Sequence, residues 1–170
     1  MFPWCFGMEQ RDTLHDWSID YVRVLAEVFG WEIETVPGSR RGPDIVIKHV
    51  NPRGDITSVM FVESEIGHDQ GGAKKYFESL CKRLAERIRE YRGRGVIHIV
   101  IVVITNAPRR LSEYLRKEGD KLAKELGLDY IKEGNNFYIV PAALLKKVLP
   151  AIFVRAMATD VLIAHEIVAY

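Results

Sequence analysis

Apolar residues recur at two different periods along the first part of the chain. Over residues 11–29 they recur at steps of three and four, and Gly30 follows, so the pattern predicts an amphipathic helix that ends at this glycine. Over residues 31–36 and again over residues 43–49 they alternate with polar residues, which is the pattern of a strand with one polar face. A helix followed by two strands is therefore expected.

A turn between two alternating segments predicts a β-hairpin. Residues 51–55 contain Asn, Pro, Gly and Asp, which favour turns, and another alternating stretch covers residues 57–66. This stretch is expected to pair with residues 43–49. Because successive side chains point to opposite faces of a strand, Glu63 and Glu65 then lie on the same face near the end of the hairpin.

The second half of the chain predicts two long helices around a buried strand. The helices cover residues 73–92 and 106–126, and the nearly continuous apolar run at residues 96–105 is typical of a strand buried on both faces. The rest is expected to form short strands at residues 129–132 and 136–140 around a turn, a helix from Pro141 towards Val148, and an apolar segment at residues 151–170.

This order of elements indicates one α/β domain with helices around a central mixed sheet. In a chain of 170 residues that is 48% hydrophobic, we expect residues 1–150 to form a single domain and residues 151–170 to be a helical C-terminal segment used for packing or dimerisation. The longest apolar run is shorter than the roughly 20 residues of a membrane span, and no basic residue precedes the N-terminal apolar stretch. A cytoplasmic protein with no membrane contact is expected.

Charged residues are segregated along the chain, although the formal net charge is only +1. Residues 1–73 hold 12 acidic and 6 basic side chains, whereas residues 74–124 hold 6 acidic and 14 basic ones. The total therefore hides an acidic part and a basic part. An acidic site next to a basic surface is a distribution expected for a protein that binds cations and a polyanion.

Three carboxylates are expected to meet at one end of the predicted hairpin. Asp44 opens the first strand, and Glu63 and Glu65 close the second. Like charges in a small volume repel each other unless a cation lies between them, and carboxylate oxygens are ligands that Mg²⁺ and Mn²⁺ prefer. Such a cation leaves positions open for water and phosphate oxygens, which suits hydrolysis of a phosphodiester.

Two short motifs carry a family resemblance. They are Gly42-Pro43-Asp44-Ile45-Val46-Ile47 and Phe61-Val62-Glu63-Ser64-Glu65, with a helix before them and a helix and a buried strand after them. With these elements, residues 10–105 resemble the PD-(D/E)xK nuclease superfamily, which includes many restriction enzymes and the archaeal Holliday-junction resolvases. The resemblance implies a restriction-endonuclease-like three-layer α/β/α fold and a Mg²⁺- or Mn²⁺-dependent endonuclease that cuts DNA. It also implies that Asp44 and Glu63 bind the metal, which activates water.

The chain departs from the family motif at Glu65, which stands where the family usually has a lysine. Some restriction enzymes of the superfamily carry a Glu-x-Glu motif, and by that likeness Glu65 would bind metal or assist the water. Lys74 and Lys75, at the start of the helix after the hairpin, are the first candidates to replace the lysine, ahead of Lys48 on the first hairpin strand. An acid of the first helix often completes the site in this family, and three alternatives are open: Glu9, Asp16 and Asp20.

DNA, either duplex or branched, is the partner that the resemblance implies. Arg40 and Arg41 precede Asp44 in a loop where guanidinium groups can bind phosphate, and Lys82 lies on the basic helix. Among the histidines, only His68 is expected near the site. Two alternatives stay open. One is a homodimer through the apolar C-terminal segment, and the other is a nuclease-like module without catalysis that binds nucleic acid or a protein partner.

Overall fold

The computed structural model describes residues 3–169 apart from residues 35–42 and 67–71, with side chains at residues 14–34, 43–66 and 72–161. In these parts the helices and strands follow each other in the predicted order, except that the first helix begins well before residue 11 and no strand covers residues 129–132. The elements are α1 (Pro3–Val28), β1 (Glu32–Glu34), β2 (Ile45–Val50), β3 (Ile56–Ser64), α2 (Gly72–Gly93), β4 (His98–Thr105), α3 (Pro108–Leu126), β5 (Phe137–Pro141), a 3₁₀ helix (Ala142–Leu144) and α4 (Leu145–Ala169).

The strands form one mixed sheet in the order β1-β2-β3-β4-β5. β1, β2 and β3 are antiparallel neighbours, whereas β3, β4 and β5 run parallel. The predicted hairpin is present, with Ile45 of β2 opposite Val62 of β3. Because β3 and β4 are parallel, the start of β2 lies beside the ends of both. We call this end of the sheet, where β3 and β4 finish, the carboxyl end.

Helices cover both faces of the sheet. One face packs against α1 and α4 in a core that includes Val22, Met60 and Phe153. The other face packs against α2 and α3 in a core that includes Phe61 and Leu84. The predicted α/β architecture with a mixed sheet between helices is thus confirmed, and it is compatible with a three-layer α/β/α fold.

Helix α4 is longer than the sequence predicts. Pro150 has no N–H with which to bond the carbonyl of Lys146, so a proline here favours the end of a helix. In the structure α4 continues through Pro150, and the Lys146 carbonyl accepts a hydrogen bond from the Tyr21 hydroxyl of α1 at 3.4 Å. The expected boundary between the domain and its C-terminal segment falls inside α4, whose inner face belongs to one core. Neither α4 nor any other described helix is long and apolar enough to cross a membrane.

The segment before β5 is a turn, not the strand expected at residues 129–132. The side chain of the buried Asn136 accepts a hydrogen bond from the Lys132 N–H and donates one to the Tyr130 carbonyl, both at 2.8 Å. Backbone groups of this segment are therefore bonded to a side chain instead of a strand partner. β5 pairs with β4 as a parallel neighbour.

A buried polar cluster joins α4 to the sheet at the end opposite the carboxyl end. We call it the Asp160 cluster: His49, Thr57, Ser58, His98 and Asp160. Asp160 Oδ2 lies 2.7 Å from His49 Nδ1 and accepts a bond from Thr57 Oγ1 at 3.1 Å, while Oδ1 lies 3.1 Å from His98 Nδ1 and accepts a bond from Ser58. Burial alone would raise the pKa of Asp160, but the hydrogen bonds from His98, Ser58 and His49 hold it below its ordinary value.

Candidate functional site

Three predicted carboxylates come together at the carboxyl end of the sheet. Because β2 and β3 are antiparallel, Asp44, just before β2, lies beside the end of β3. Its Oδ2 accepts a hydrogen bond from the Ser64 N–H at 2.8 Å. Glu63 precedes Ser64 in β3, and Glu65 follows it directly. The hairpin therefore places all three acids at one end, as its turn and its alternation predict.

Glu63 is a buried carboxylate held by an arginine. Its side chain is 5% exposed, and its two oxygens accept hydrogen bonds from Arg83 Nε at 3.2 Å and from Nη2 at 3.3 Å. Ser79, one turn earlier in α2, accepts a hydrogen bond from the same guanidinium at 2.6 Å. Burial raises the pKa of Glu63 to about 7; Arg83 opposes this rise and the charge of Asp44 adds to it. Near neutral pH this carboxylate therefore exchanges a proton or takes a cation.

Glu65 is fixed by β4 and by the start of α3. Its Oε2 accepts a hydrogen bond from Thr105 Oγ1 at 2.5 Å, and its Oε1 lies 3.5 Å from Nη2 of Arg110. Its own N–H donates to the Ile104 carbonyl at 2.7 Å, which extends the pairing of β3 with β4. Both carboxylate oxygens therefore have partners within the chain, and Glu65 is less available to a cation than Asp44, whose side chain is 28% exposed.

The phenol of Tyr76 in α2 lies among the same carboxylates. Its hydroxyl is buried and has no hydrogen-bond partner among the described residues. Burial raises the pKa of Tyr76 well above its ordinary value, and the charges of Glu63, Glu65 and Asp44 each add to the rise. The Arg83 guanidinium lies over the ring, 5.9 Å from its centroid. An unpaired buried hydroxyl is unfavourable, so it offers a hydrogen bond to any oxygen atom that enters the site.

Helix α1 contributes a histidine to the site. His15 Nε2 lies 3.4 Å from Asp44 Oδ2, and His15 Nδ1 lies 3.5 Å from Asp16 Oδ1. The expectation that only His68 lies near the site is thus wrong for His15, and His68 itself lies outside the described residues. His15 is three positions before the buried Ser18, whose hydroxyl lies 3.2 Å from that of Ser64.

Two of the three first-helix acids proposed as further ligands have described side chains. Asp16 lies beside His15, which in turn lies beside Asp44. Asp20 is exposed, and the side chain of Glu9 lies outside the described residues. Among the described side chains of α1, it is therefore a histidine that lies next to Asp44.

The lysines expected at the site lie apart from its carboxylates. Lys74, Lys75 and Lys82 are exposed on α2, and within the described part of the chain none of them forms an ion pair with Asp44, Glu63 or Glu65. The charge of Lys48 instead helps to lower the pKa of Glu34 in β1. Arg40 and Arg41 lie outside the described residues. Among the described residues, the arginines that pair with these acids are Arg83 and Arg110.

No sequence motif singled out Arg83, Arg110, Thr105 or Tyr76. A weak signal was present, because Tyr76 and Arg83 are seven residues apart and so lie on one face of α2. That face also carries Leu80, which packs in the core. No comparable signal marks Arg110, whose partner Glu65 lies 45 residues away in the chain.

The donor atoms at this site suit a small hard cation. In the described parts of the chain, no group of three or more His, Cys, Asp or Glu side chains is arranged to hold a metal ion. Mg²⁺ does not need such a group, since it keeps several waters and is bound by one or two carboxylates together with substrate phosphates. Asp44 and Glu63 are the two carboxylates that would hold such an ion, and the charge of Asp44 acts directly on Glu63. Both oxygens of Glu63 are bonded to Arg83, so an ion there would compete with that guanidinium.

Comparison with other proteins adds no family to this geometry. The chain matches no family model, no curated protein and no solved structure. What can be said of its function therefore comes from the fold and from the arrangement of these side chains.

Proposed function

We propose that this protein is a Mg²⁺- or Mn²⁺-dependent endonuclease that hydrolyses phosphodiester bonds of DNA at the carboxyl end of its sheet. The observation that carries the proposal is the convergence of Asp44, Glu63 and Glu65, two of them buried, around the unpaired hydroxyl of Tyr76. Burial of carboxylates in one place costs free energy, and a core built for stability alone favours apolar residues there. A cluster of carboxylates that includes a group with a raised pKa, here Glu63, is typical of sites that bind cations or transfer protons.

Asp44 and Glu63 are the residues that would hold the cation. Bound there, it lowers the pKa of a water molecule and neutralises charge on the phosphate. Asp44 is kept in position by the Ser64 N–H and by His15, at 2.8 Å and 3.4 Å. Glu65 stays bonded to Thr105 and Arg110, so its role is to orient these groups at the end of β3.

Arg83 is the residue that would take the part of the family lysine. Its guanidinium presents two N–H groups to Glu63, and the same planar group can bind two oxygens of a phosphate. When Glu63 binds a cation, Arg83 loses part of its attraction to that carboxylate and becomes available to the substrate. Tyr76 would donate a hydrogen bond from its unpaired hydroxyl to an oxygen atom of the same phosphate.

The choice of DNA as the substrate is supported by the charge distribution. The 14 basic side chains of residues 74–124 belong largely to α2 and α3, the helices that pack on the face of the sheet where Glu63 lies. Exposed Lys74 and Lys75 lie in the first turns of α2, close in sequence to Tyr76. A cationic surface of this kind attracts a polyanion and keeps it near the carboxylates.

A cleavage assay tests the proposal. The full chain is incubated with single-stranded, duplex and branched DNA, and with RNA, in the presence of Mg²⁺, Mn²⁺ or EDTA. We expect metal-dependent cutting of DNA that Asp44→Ala and Glu63→Gln each reduce at least about 100-fold. The matched control is Glu34→Gln, because Glu34 is also paired with an arginine of α2, Arg87, at 2.9 Å but lies on β1.

The control variant should cut at the rate of the unaltered protein. No metal-dependent cleavage of any substrate, or cleavage that survives both site substitutions, would contradict the proposal. An equal loss in Glu34→Gln would attribute the effect to a general disturbance of α2.

A module that binds nucleic acid without cutting it is the second candidate. It is favoured by the arginine pairs, since Arg83 and Arg110 already balance the two buried glutamates in the absence of metal. In that case DNA affinity would be the same in Mg²⁺ and in EDTA, and Glu63→Gln would leave it unchanged. If the protein is the proposed nuclease, Mg²⁺ or Mn²⁺ should raise the melting temperature of the unaltered chain but not that of the Glu63→Gln variant.

A further inference from the structure

The helices α1 and α4 each carry a row of exposed apolar residues with alternating steps of three and four. The α1 row is Leu14, Trp17, Val24 and Val28, with the half-buried Tyr21 at its middle position, and Val24 and Val28 are 54% and 71% exposed. The α4 row is Ala151, Val154, Ala158 and Val161, in which the two valines are 56% and 67% exposed. Rows of this length and spacing are the pattern by which helices pack on other helices, and they are uncommon on a surface that stays in water.

The two rows belong to one face of the molecule. α1 and α4 cover the same side of the sheet, where the rings of Phe29 and Phe153 stack at 5.2 Å. Further along, the Lys146 ammonium lies 5.6 Å from the ring centroid of Trp17. Within one chain, therefore, a cation of α4 already rests on an aromatic residue of the α1 row.

The exposed charges beside the two rows are opposite in sign. Among the described side chains of α1, three exposed acids lie beside its row, Asp16, Asp20 and Glu27, against a single exposed base, Arg23. Over residues 145–161 of α4, the exposed charges beside its row are all basic: Lys146, Lys147 and Arg155. The one acid of this part of α4 is Asp160, which is buried in the Asp160 cluster. The α1 row is thus apolar with an acidic border, and the α4 row is apolar with a basic border.

We infer that a second copy of this chain covers the face, with α1 of each protomer packed on α4 of the other. A twofold axis brings the two different rows together twice, so both acidic borders meet basic borders and both sets of valines leave water. A pairing of α1 with α1, or of α4 with α4, would set like charges against each other. The dimer is independent of the nuclease proposal, because the Asp44 and Glu63 carboxylates take no part in it.

Sedimentation velocity of the full chain over a range of concentrations tests the interface. The unaltered protein should sediment as a dimer, and Val154→Asp combined with Val161→Asp should raise the dimer dissociation constant about 100-fold or more by placing charges in the apolar contact. Ile97→Asp is the matched control, since Ile97 is 73% exposed but lies next to β4 and away from both rows. Far-ultraviolet circular dichroism shows that each variant remains folded.

Charge reversal identifies which helices meet. Asp20→Lys with Glu27→Lys makes one border of α1 basic, and Lys147→Glu with Arg155→Glu makes the border of α4 acidic. Each of these double variants alone should be monomeric where the unaltered chain is dimeric, because both contacts then join like charges. An equal mixture of the two should form heterodimers, because each of the two α1–α4 contacts again joins opposite charges.

Four results would overturn the inference. One is a monomeric unaltered chain at every concentration tested. Another is a mixture of the two reversed chains that stays monomeric while each remains folded. A third is a dimer that survives the valine substitutions. The fourth is an α1-reversed chain that pairs with the unaltered chain as readily as with the α4-reversed chain, which would indicate pairing of α1 with α1.

Discussion

At Glu63, burial and an ion pair act on one carboxylate in opposite directions. Desolvation disfavours its charged form, whereas Arg83 favours that form through two hydrogen bonds. Burial prevails, and the pKa lies at about 7. Glu34, paired with Arg87 and Tyr91, shows the other balance, because there the hydrogen bonds and charges outweigh burial and the pKa is lowered. Two glutamates that are each paired with an arginine of α2 thus have pKa values shifted in opposite directions.

The free energy of unfolding of the metal-free protein should depend on pH because the pKa of Glu63 is raised. Between its ordinary pKa of 4.5 and the folded value of about 7, Glu63 holds its proton more tightly in the folded chain than in the unfolded chain. The free energy of unfolding should therefore fall as pH rises through this range, by about 3 kcal/mol at most, and stay level above it. Glu63→Gln cannot ionise and should lack this fall.

Denaturant unfolding in EDTA at pH 4.5 and pH 8 measures the effect. We expect Glu63→Gln to gain stability relative to the unaltered chain on going to the higher pH. Glu34→Gln should keep nearly the same difference from the unaltered chain at both pH values, because the pKa of Glu34 is lowered and its contribution is lost only as pH falls through the folded value, below 4.5. Parallel pH dependence in all three proteins would be inconsistent with a raised pKa at Glu63.

At the scale of elements, α4 is placed by contacts at two points along its length. Near its start, the Tyr21 hydroxyl of α1 bonds to the Lys146 carbonyl, which Pro150 cannot satisfy. Two-thirds of the way along, Asp160 bonds to residues of three strands. Leu149 and Phe153 fill the core between these points. The helix is therefore part of the same folding unit as the sheet.

Asp160→Asn should destabilise the fold by about 2–4 kcal/mol at pH 7, since it removes a buried charge that accepts several hydrogen bonds. The pKa of Asp160 is lowered in the folded protein, so its contribution is present above the ordinary pKa and is lost as pH falls through the folded value. The difference from the unaltered chain should therefore shrink at pH 3. Chemical denaturation at both pH values measures it. Asp120→Asn, at an exposed position of α3, is the control and should cost less than about 0.5 kcal/mol.

At the scale of the whole molecule, acidic and basic side chains are concentrated on different elements. Part of the acidic excess of residues 1–73 lies at the carboxyl end of the sheet and along α1, while most of the basic excess lies on α2 and α3. A near-neutral total therefore conceals a basic surface on one side of the sheet. The total also conceals the charge difference between α1 and α4, which pack on the opposite face of the sheet.

Binding to duplex DNA should depend on salt in spite of the net charge of +1. Lys74→Gln combined with Lys75→Gln should weaken binding and reduce the slope of log affinity against log salt by about 2. Fluorescence anisotropy at several salt concentrations measures the slope. Lys132→Gln, at an exposed position before β5, is the control and should leave it unchanged. Cleavage that falls far more than affinity in the Lys74 and Lys75 variant would assign one of these lysines to the chemistry.

The sequence by itself determined the order of the elements and the position of the acidic residues. Hydrophobic period and turn residues are local properties, and the hairpin with its antiparallel register is enough to place Asp44 beside Glu63. Tertiary structure decided the remaining features: Arg83 instead of a lysine beside Glu63, His15 beside Asp44, the passage of α4 through Pro150, and the Asp160 cluster. Each of these depends on side chains far apart in the chain, whose distances are set only when helices pack on the sheet.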